Sequence, residues 1–188
     1  PFHNGHLYHL QQSKKLTNSD YTICIMSGNF VQRGDTSLLD KWAKTQMALE
    51  NGIDLVIELP TLYATSSSEN FALGAIKILN ELKIVDFISF GSENCEIEAL
   101  NNIANVLYEE PKQFTSLLSH ELSKGISFPK ARENALLMYL NNIQKYSNVI
   151  NQPNNILGIE YLKALKKTKS TIIPMAIKRE KVYYNSHN

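Results

Sequence analysis

Two histidines at the start of the chain, His3 and His6, have the spacing and neighbours of a phosphate-binding site. They stand in the stretch PFHNGH, directly before a segment with helical periodicity. The N-terminus of a helix leaves backbone amides unpaired and carries partial positive charge, so it attracts phosphate. Gly5 lets the backbone come close to a ligand, and two imidazoles three residues apart can donate to one oxyanion. The motif therefore predicts a nucleotide phosphate site with His3 and His6 as catalytic residues.

Two other interpretations of this motif stay open. The histidines can be ordinary surface residues at the start of a helix, or a pair of metal ligands. No further cluster of metal ligands lies nearby in the sequence, so we expect no metal site built by the protein itself.

Composition and charge exclude several classes of protein. With 188 residues, 43% apolar and 20% charged, the chain is not collagen-like, low-complexity or disordered. Nineteen Lys and Arg against eighteen Asp and Glu argue against a uniformly basic nucleic-acid-binding surface, although a local patch is compatible with them. Cys24 and Cys95 form no CxxC pair, which argues against a disulfide framework. Without an apolar stretch of about 18 residues or a signal peptide, we expect no membrane span and a cytoplasmic protein.

Strand and helix patterns alternate along the chain. Helices separated by apolar strands are typical of right-handed βαβ crossovers and a parallel sheet with both faces covered. We therefore predict an α/β, Rossmann-like domain spanning residues 1–188, in which residues 96–146 form a helical insertion. The predicted strands are residues 21–26, 54–59, 86–90 and 171–177, and the other predicted helices are residues 7–16, 41–51, 71–83 and 156–167.

The chain opens on a motif that normally follows a strand. In doubly wound sheets the first strand lies near the centre, and ligands bind beyond its C-terminal end. Pro1 to His6 would form the loop leaving that strand. We therefore expect roughly ten more residues upstream, the usual length of a strand with its flanks, without which the sheet would have a gap.

A series of ordered motifs resembles one known family. The HxGH pattern in the first motif is similar to that of the nucleotidyltransferase superfamily. Taken together, and spread over the whole chain, the motifs resemble the tRNA(Met) cytidine acetate ligase family of bacteria. The motifs are PFHNGH (1–6), SGNF with QRG (27–34), KWA (41–43), MAL with NG (47–52), DLVIELP (54–60), FGSE (90–93) and PNNILGIEYL (153–162).

The resemblance implies a nucleotidyltransferase fold and a two-step reaction. Family members activate acetate with ATP, release pyrophosphate, and pass the acetyl group from acetyl-adenylate to N4 of the wobble cytidine of elongator tRNA(Met). Mg²⁺ is expected to bridge the phosphates, held mainly by nucleotide and water. The family also has a large helical C-terminal region, which would follow Asn188. The ATP-binding positions implied here are Pro1, Phe2, His3, Asn4, Gly5, His6, His9, Gly91, Asn154 and Arg179.

Three of these positions also have simpler interpretations. Gly91 follows a strand, where its backbone could lie against adenine or ribose, but a turn glycine fits equally well. Asn154 precedes a predicted helix and could be its N-cap. Arg179 is either a phosphate clamp or one residue of a solvated charge run.

Weaker predictions concern the tRNA. Arg33, Lys41 and Lys44 could contact its backbone, although the two lysines are more simply polar positions on an amphipathic helix. Trp42 and Phe30 could stack on a base, although aromatic residues usually fill cores. Two rival functions remain: a small-molecule adenylyltransferase of the nicotinate-mononucleotide or phosphopantetheine type, and a non-catalytic nucleotide- or RNA-binding module.

Overall fold

The computed structural model of the chain describes residues 2–179, apart from the side chain of Arg33. Helices and strands alternate as the sequence predicts. The strands are β1 (Ile23–Ser27), β2 (Leu55–Leu59), β3 (Phe87–Ser92) and β4 (Ile173–Lys178). The helices are α1 (Asn4–Thr17), α2 (Lys41–Glu50), α3 (Thr61–Ala64), α4 (Ser68–Leu82), α5 (Ile97–Glu109), α6 (Lys112–Ser123), α7 (Phe128–Leu140), α8 (Ile143–Ile150) and α9 (Pro153–Lys167).

The strands form two parallel pairs. β1 pairs with β2 so that Ile23 lies opposite Leu55, and β3 pairs with β4 so that Phe87 lies opposite Ile173. Parallel strands joined by helices confirm the predicted α/β class.

Between residues 2 and 179, no hydrogen bonds link β1 to β3. A cavity of about 1180 Å³ lies there instead, lined by side chains of α1, β1 and β3. The strand expected upstream of Pro1 stays a prediction.

Helix α1 begins three residues earlier than predicted. Its N-cap is His3, whose backbone is extended and whose ring Nδ1 accepts a hydrogen bond from the Gly5 amide at 3.1 Å. The usual N-cap residues are Ser, Thr, Asp and Asn, so the sequence gives no ordinary start signal here. As a result, the whole HNGH motif lies at the first turn of the helix.

Helix α9 also begins earlier than predicted, at Pro153, which suits the first position of a helix because proline lacks an N–H. The N-cap is Gln152. The interpretation of Asn154 as an N-cap is therefore wrong, because Asn154 lies inside the first turn.

One large core joins the β3–β4 pair to the helices, and α9 packs against β3, α4 and α5. Helices α5 to α8, which contain most of the predicted insertion, contribute buried residues to this same core. Fully buried core residues include Ile76, Leu100, Ile103, Leu136, Val149 and Leu162.

Within the described part of the chain, no helix is long and apolar enough to cross a membrane. The cytoplasmic location stays a prediction.

The packing of α9 on β3 depends on Gly158. A Cβ at this position would lie 2.6 Å from Cε2 of Phe90. Helix propensity alone predicts that Gly158→Ala stabilises the protein by about 1 kcal/mol. The overlap with the Phe90 ring costs about 1–3 kcal/mol, so we expect a net loss in the free energy of unfolding measured by urea titration. A Phe90→Leu background should shrink that loss, and a net gain from Gly158→Ala would contradict the packing described.

Candidate functional site

The two motif histidines form a stacked pair at the start of α1. Their ring centroids are 3.8 Å apart and their planes differ by 23°. Nδ1 of His3 accepts from the Gly5 amide, so in neutral His3 the proton is on Nε2. The ring of Phe2 lies beside the pair, 5.5 Å from the His6 centroid. Both histidines reach solvent at the N-terminus of the helix, but the rings of Phe2 and His3 cover part of the His6 ring and partly desolvate it.

The backbone amides of this turn are less open than the sequence suggests. The Gly5 amide is taken by the His3 ring, and the amides of His6 and Leu7 donate to the His3 carbonyl. A Cβ at Gly5 would lie 3.0 Å from Cε1 of His3. Gly5 therefore makes room for the His3 ring, and the imidazole N–H groups are the more available donors for a ligand.

The opposite side of the site is built at the ends of β3 and β4. Arg179 follows β4, and its amide donates to the Ser92 carbonyl at 3.0 Å. A Cβ at Gly91 would lie 3.3 Å from Cγ and 3.4 Å from Cδ of Arg179, so Gly91 leaves room for the arginine stem. The charge of Arg179 also contributes to lowering the pKa values of His6 and His9. The structure therefore brings Arg179, Gly91 and the α1 histidines into one site.

Asn154 is held at this site by Glu93. The Glu93 carboxylate accepts from the Asn154 side-chain amide at 2.6 Å and from the backbone amides of Asn154 and Asn155 at 3.2 and 3.1 Å. It therefore pairs the free amides at the positive end of α9. The sequence analysis missed this role of Glu93, because its partners lie 61 and 62 residues away and leave no local pattern.

Asn155 completes the junction between β3 and α9. It is fully buried, and its side-chain oxygen accepts from Ser92 Oγ at 2.6 Å and from the Glu93 amide at 3.2 Å. Its amide nitrogen donates to the Val149 carbonyl at 3.1 Å. Such a fully paired buried group fixes the geometry of its surroundings. Asn155 also was not singled out by the sequence analysis.

His9 lies one turn after His6 and reaches β3. Its Nε2 is 3.0 Å from the hydroxyl oxygen of Ser89. Burial lowers the pKa of His9, against a raising effect of its hydrogen bonding to the Ser89 backbone. Desolvation and the neighbouring His3 ring lower the pKa of His6 to about 4. Both rings therefore take up a proton less readily than a free imidazole does.

Lys44 does not fit a direct role in binding tRNA, nor is it an ordinary polar position. It is 7% exposed, and its ammonium donates to the Ser27 and Gly28 carbonyls at 2.9 and 2.6 Å. Burial lowers its pKa. Lys44 therefore ties α2 to the end of β1.

The other side chains that the sequence analysis connected with tRNA and that the structure describes lie at least partly on the surface. Lys41 forms an ion pair with Glu58 at 2.8 Å, and the neighbouring ring of Trp42 is 73% exposed. Phe30 is 45% exposed, so neither aromatic residue fills the core. Pro1 and the side chain of Arg33 lie outside what the structure describes.

One family of known proteins matches the whole chain, and relatives with one shared name match it closely. The profile of the HIGH Nucleotidyl Transferase family matches residues 1–188. The chain is 53% identical over 195 residues to a tRNA(Met) cytidine acetate ligase from Halothermothrix orenii, covering 100% of this chain and 46% of the relative. It is 58% identical over 186 residues to the protein of that name from Thermoanaerobacter sp., covering 99% and 46%.

Solved structures agree with the sequences. The crystal structure of Thermotoga maritima TmcAL bound with alpha-thio ATP matches with a TM-score of 0.92 and 43% identity, over 99% of this chain and 46% of that one. The apo form of the same protein matches with a TM-score of 0.93. These similarities confirm the resemblance that the motifs indicate. The chain spans slightly less than half the length of these relatives.

Glu93 should stabilise the start of α9. Glu93→Ala leaves three N–H groups without their acceptor, so we expect the free energy of unfolding to fall by about 2 kcal/mol. Glu93→Gln keeps one acceptor oxygen and loses the charge, so the expected loss is about 1 kcal/mol. Glu96 is the matched control, because it is the N-cap of α5 and makes no side-chain capping bond. Urea unfolding of all three variants tests this, and equal losses for Glu93→Ala and Glu96→Ala would contradict it.

The low pKa of His6 should make stability depend on pH. Its pKa of about 4 lies below the ordinary value of 6.5, so between these values the unfolded chain binds a proton that the folded chain does not. Stability should therefore fall as pH decreases from about 6.5 towards 4. His6→Gln removes this contribution, so its free energy of unfolding should decrease less over that range than that of the wild type. Parallel curves for the two proteins would show that His6 is not desolvated as described.

Proposed function

The chain belongs to the HIGH nucleotidyl transferase family, and we propose that it forms the ATP-activating part of a tRNA(Met) cytidine acetate ligase. In the first step, acetate and ATP would give acetyl-adenylate and pyrophosphate. In the second, the acetyl group would pass to N4 of the wobble cytidine of elongator tRNA(Met). The observation that carries this proposal is the meeting of the His3–His6 pair with Arg179, in a chain 53–58% identical to relatives of that name.

ATP would bind across the site from the start of α1 to the ends of β3 and β4. The imidazoles suit the phosphates because their N–H groups are available donors, and the N-terminus of α1 adds the partial positive charge of the helix dipole. Arg179 would add a fixed positive charge. On the far side, Glu93 holds the Asn154 amide in place beside β3. The residues proposed to contact ATP are Pro1, Phe2, His3, Asn4, Gly5, His6, His9, Gly91, Asn154 and Arg179.

The chemistry requires positioning and charge stabilisation more than a covalent enzyme intermediate. An acetate oxygen would attack the α-phosphorus in line, forming the new P–O bond as the bond to pyrophosphate breaks. The His6 N–H and the Arg179 guanidinium would stabilise the charge that grows on the phosphate oxygens. The cytidine N4 would then attack the acetyl carbonyl, AMP would leave with the electrons of the C–O bond, and the nitrogen would lose a proton.

Mg²⁺ would enter this site with the nucleotide. Among the described residues, no group of three or more His, Cys, Asp or Glu side chains is placed to hold a metal ion. The side chains at the start of α1 are imidazoles, whereas Mg²⁺ prefers oxygen ligands. Phosphate oxygens and water would therefore hold the ion, which would neutralise part of the phosphate charge.

For the tRNA, we propose contacts on the surface around α2. Trp42 is exposed, and the Lys41 ammonium lies 5.3 Å from its ring centroid. An exposed ring beside a cation suits stacking of an unpaired base next to a phosphate. Arg33, which precedes α2 in the chain, would contact the backbone of the tRNA.

The intact protein should catalyse exchange between ATP and pyrophosphate that depends on acetate. His6→Ala should reduce this exchange by about a hundredfold or more, because a donor to the developing charge is lost. His120→Ala, in the last turn of α6, is the matched control and should leave the rate unchanged. Circular dichroism checks that both variants are folded.

Three outcomes would contradict the proposal. Exchange that requires nicotinate mononucleotide or phosphopantetheine in place of acetate would favour a small-molecule adenylyltransferase. ATP binding without exchange under any acceptor would favour a non-catalytic module. A wild-type rate in His6→Ala would show that this residue is not catalytic.

A further inference from the structure

The turn between α6 and α7, residues 122–132, carries an exposed aromatic ring beside a cation. Phe128, the first residue of α7, is 54% exposed, and the guanidinium of Arg132 lies over its ring, 6.0 Å from the centroid. Residues 122–125 and 127–130 are all exposed. The ring therefore has one cationic neighbour and open solvent around it, and it is available to a partner outside the core.

Two lysines of the α6–α7 turn point outward from buried carboxylates. Lys124 pairs with Glu121, and Lys130 lies 3.0 Å from Glu133. The lysine side chains are 46% and 56% exposed, whereas those of Glu121 and Glu133 are 2% and 14% exposed. An ammonium has three N–H groups, so each lysine keeps donors for a further partner. The solvent side of the turn therefore presents the cations, and the anions face the protein.

Each of these carboxylates is also held by an asparagine on another element. Glu121 accepts from the side-chain amide of Asn134, on α7, at 2.8 Å. Glu133 accepts from the side-chain amide of Asn151, just after α8, at 2.7 Å. These bonds fix the carboxylates between helices, so the charges around the turn are already ordered. A partner that binds there has less ordering entropy to overcome.

The α6–α7 turn differs in this respect from two other places where a cation lies at an aromatic ring. Lys41 and Lys145 lie at the rings of the residues that follow them, and both form ion pairs. Their partners Glu58 and Glu98 have side chains that are 42% and 80% exposed, so an incoming phosphate would meet an anion as well. Arg132, by contrast, forms no ion pair with any residue that the structure describes.

We propose that the α6–α7 turn is an RNA-contacting surface, in which the Phe128 ring stacks on an unpaired base while Arg132, Lys124 and Lys130 bind the phosphates beside it. A strand of RNA offers a flat base and a negative charge at neighbouring positions, which this group of side chains matches. An apolar protein partner would instead bury three cations without supplying anions for them. The identity of the RNA as a tRNA rests on the proposed function.

The turn is separate in the chain from the residues proposed to contact ATP. Those residues lie in 1–9, at the ends of β3 and β4, and in the first turn of α9, and none of them belongs to α6 or α7. A change in the α6–α7 turn should therefore act on the second substrate and not on activation of acetate.

The affinity of the intact protein for an elongator tRNA(Met) transcript, measured by fluorescence anisotropy, tests the stacking. Phe128→Leu keeps an apolar side chain but removes the ring, so we expect binding about tenfold weaker. Phe128→Tyr keeps the ring and should bind within about twofold of the wild type. Lys112→Gln is the matched control, because Lys112 is an exposed cation at the opposite end of α6, and it should bind as the wild type does.

The salt dependence of binding separates phosphate contacts from stacking. Arg132→Gln loses one phosphate contact, so the slope of log affinity against log salt concentration should become shallower by about 1. Phe128→Leu should keep the wild-type slope, because stacking on a base releases no counterion. Equal slopes in the wild type and Arg132→Gln would overturn the phosphate contact.

The kinetics distinguish a failure of this inference from a failure of the proposed function. Phe128→Leu and Arg132→Gln should raise the KM for tRNA in acetyl transfer and leave acetate-dependent exchange between ATP and pyrophosphate at the wild-type rate. Wild-type tRNA affinity in both variants would overturn the RNA-contacting surface alone. A wild-type protein that binds no tRNA would overturn the proposed function together with this surface.

Discussion

The site depends on strand β3, whose residues alternate between the core and the ligand side. Ile88, Phe90 and Ser92 are buried, whereas the residues between them are only partly covered, as a strand with side chains on opposite faces requires. On the partly covered face, Ser89 bonds to α1, Gly91 accommodates Arg179, and Glu93, just past the strand, pairs the start of α9. One strand therefore sets the relative positions of the other elements that form the site.

The electrostatics of the site follow from the same arrangement. Three imidazoles lie near one guanidinium, and protonating all of them together would place several positive charges within one small volume. Burial lowers the pKa values of both His6 and His9, the His3 ring adds to this effect on His6, and the charge of Arg179 adds to it on both. Such a site attracts an anion through the imidazole N–H groups and the permanent charge of Arg179. The imidazoles can also gain protons when a polyanion binds beside them.

The sequence predicted the features that depend on local patterns. Apolar runs and helical periodicity were sufficient for the alternating elements, whereas the binding role of the HNGH motif stays a prediction. The cap by the His3 ring was missed because a histidine cap has no usual signature, and the role of Glu93 was missed because its partners are 61 residues away or more. Lys44 has the helical spacing of a solvent-facing lysine. Its ammonium can be buried because carbonyls at the end of β1 accept hydrogen bonds from it.

Helix α1 also spans the cavity between the two strand pairs. On one side Ser13 and His9 hold it to β3, and on the other Lys14 donates to the Gly52 carbonyl at 2.8 Å and lies 3.7 Å from Asp54, just before β2. The facing edges of β1 and β3 have no strand between them in the described part of the chain, and the cavity wall includes apolar residues of both. Because α1 is held to both strand pairs by these contacts, they fix the direction of its axis, and so the orientation of the His3–His6 pair in its first turn.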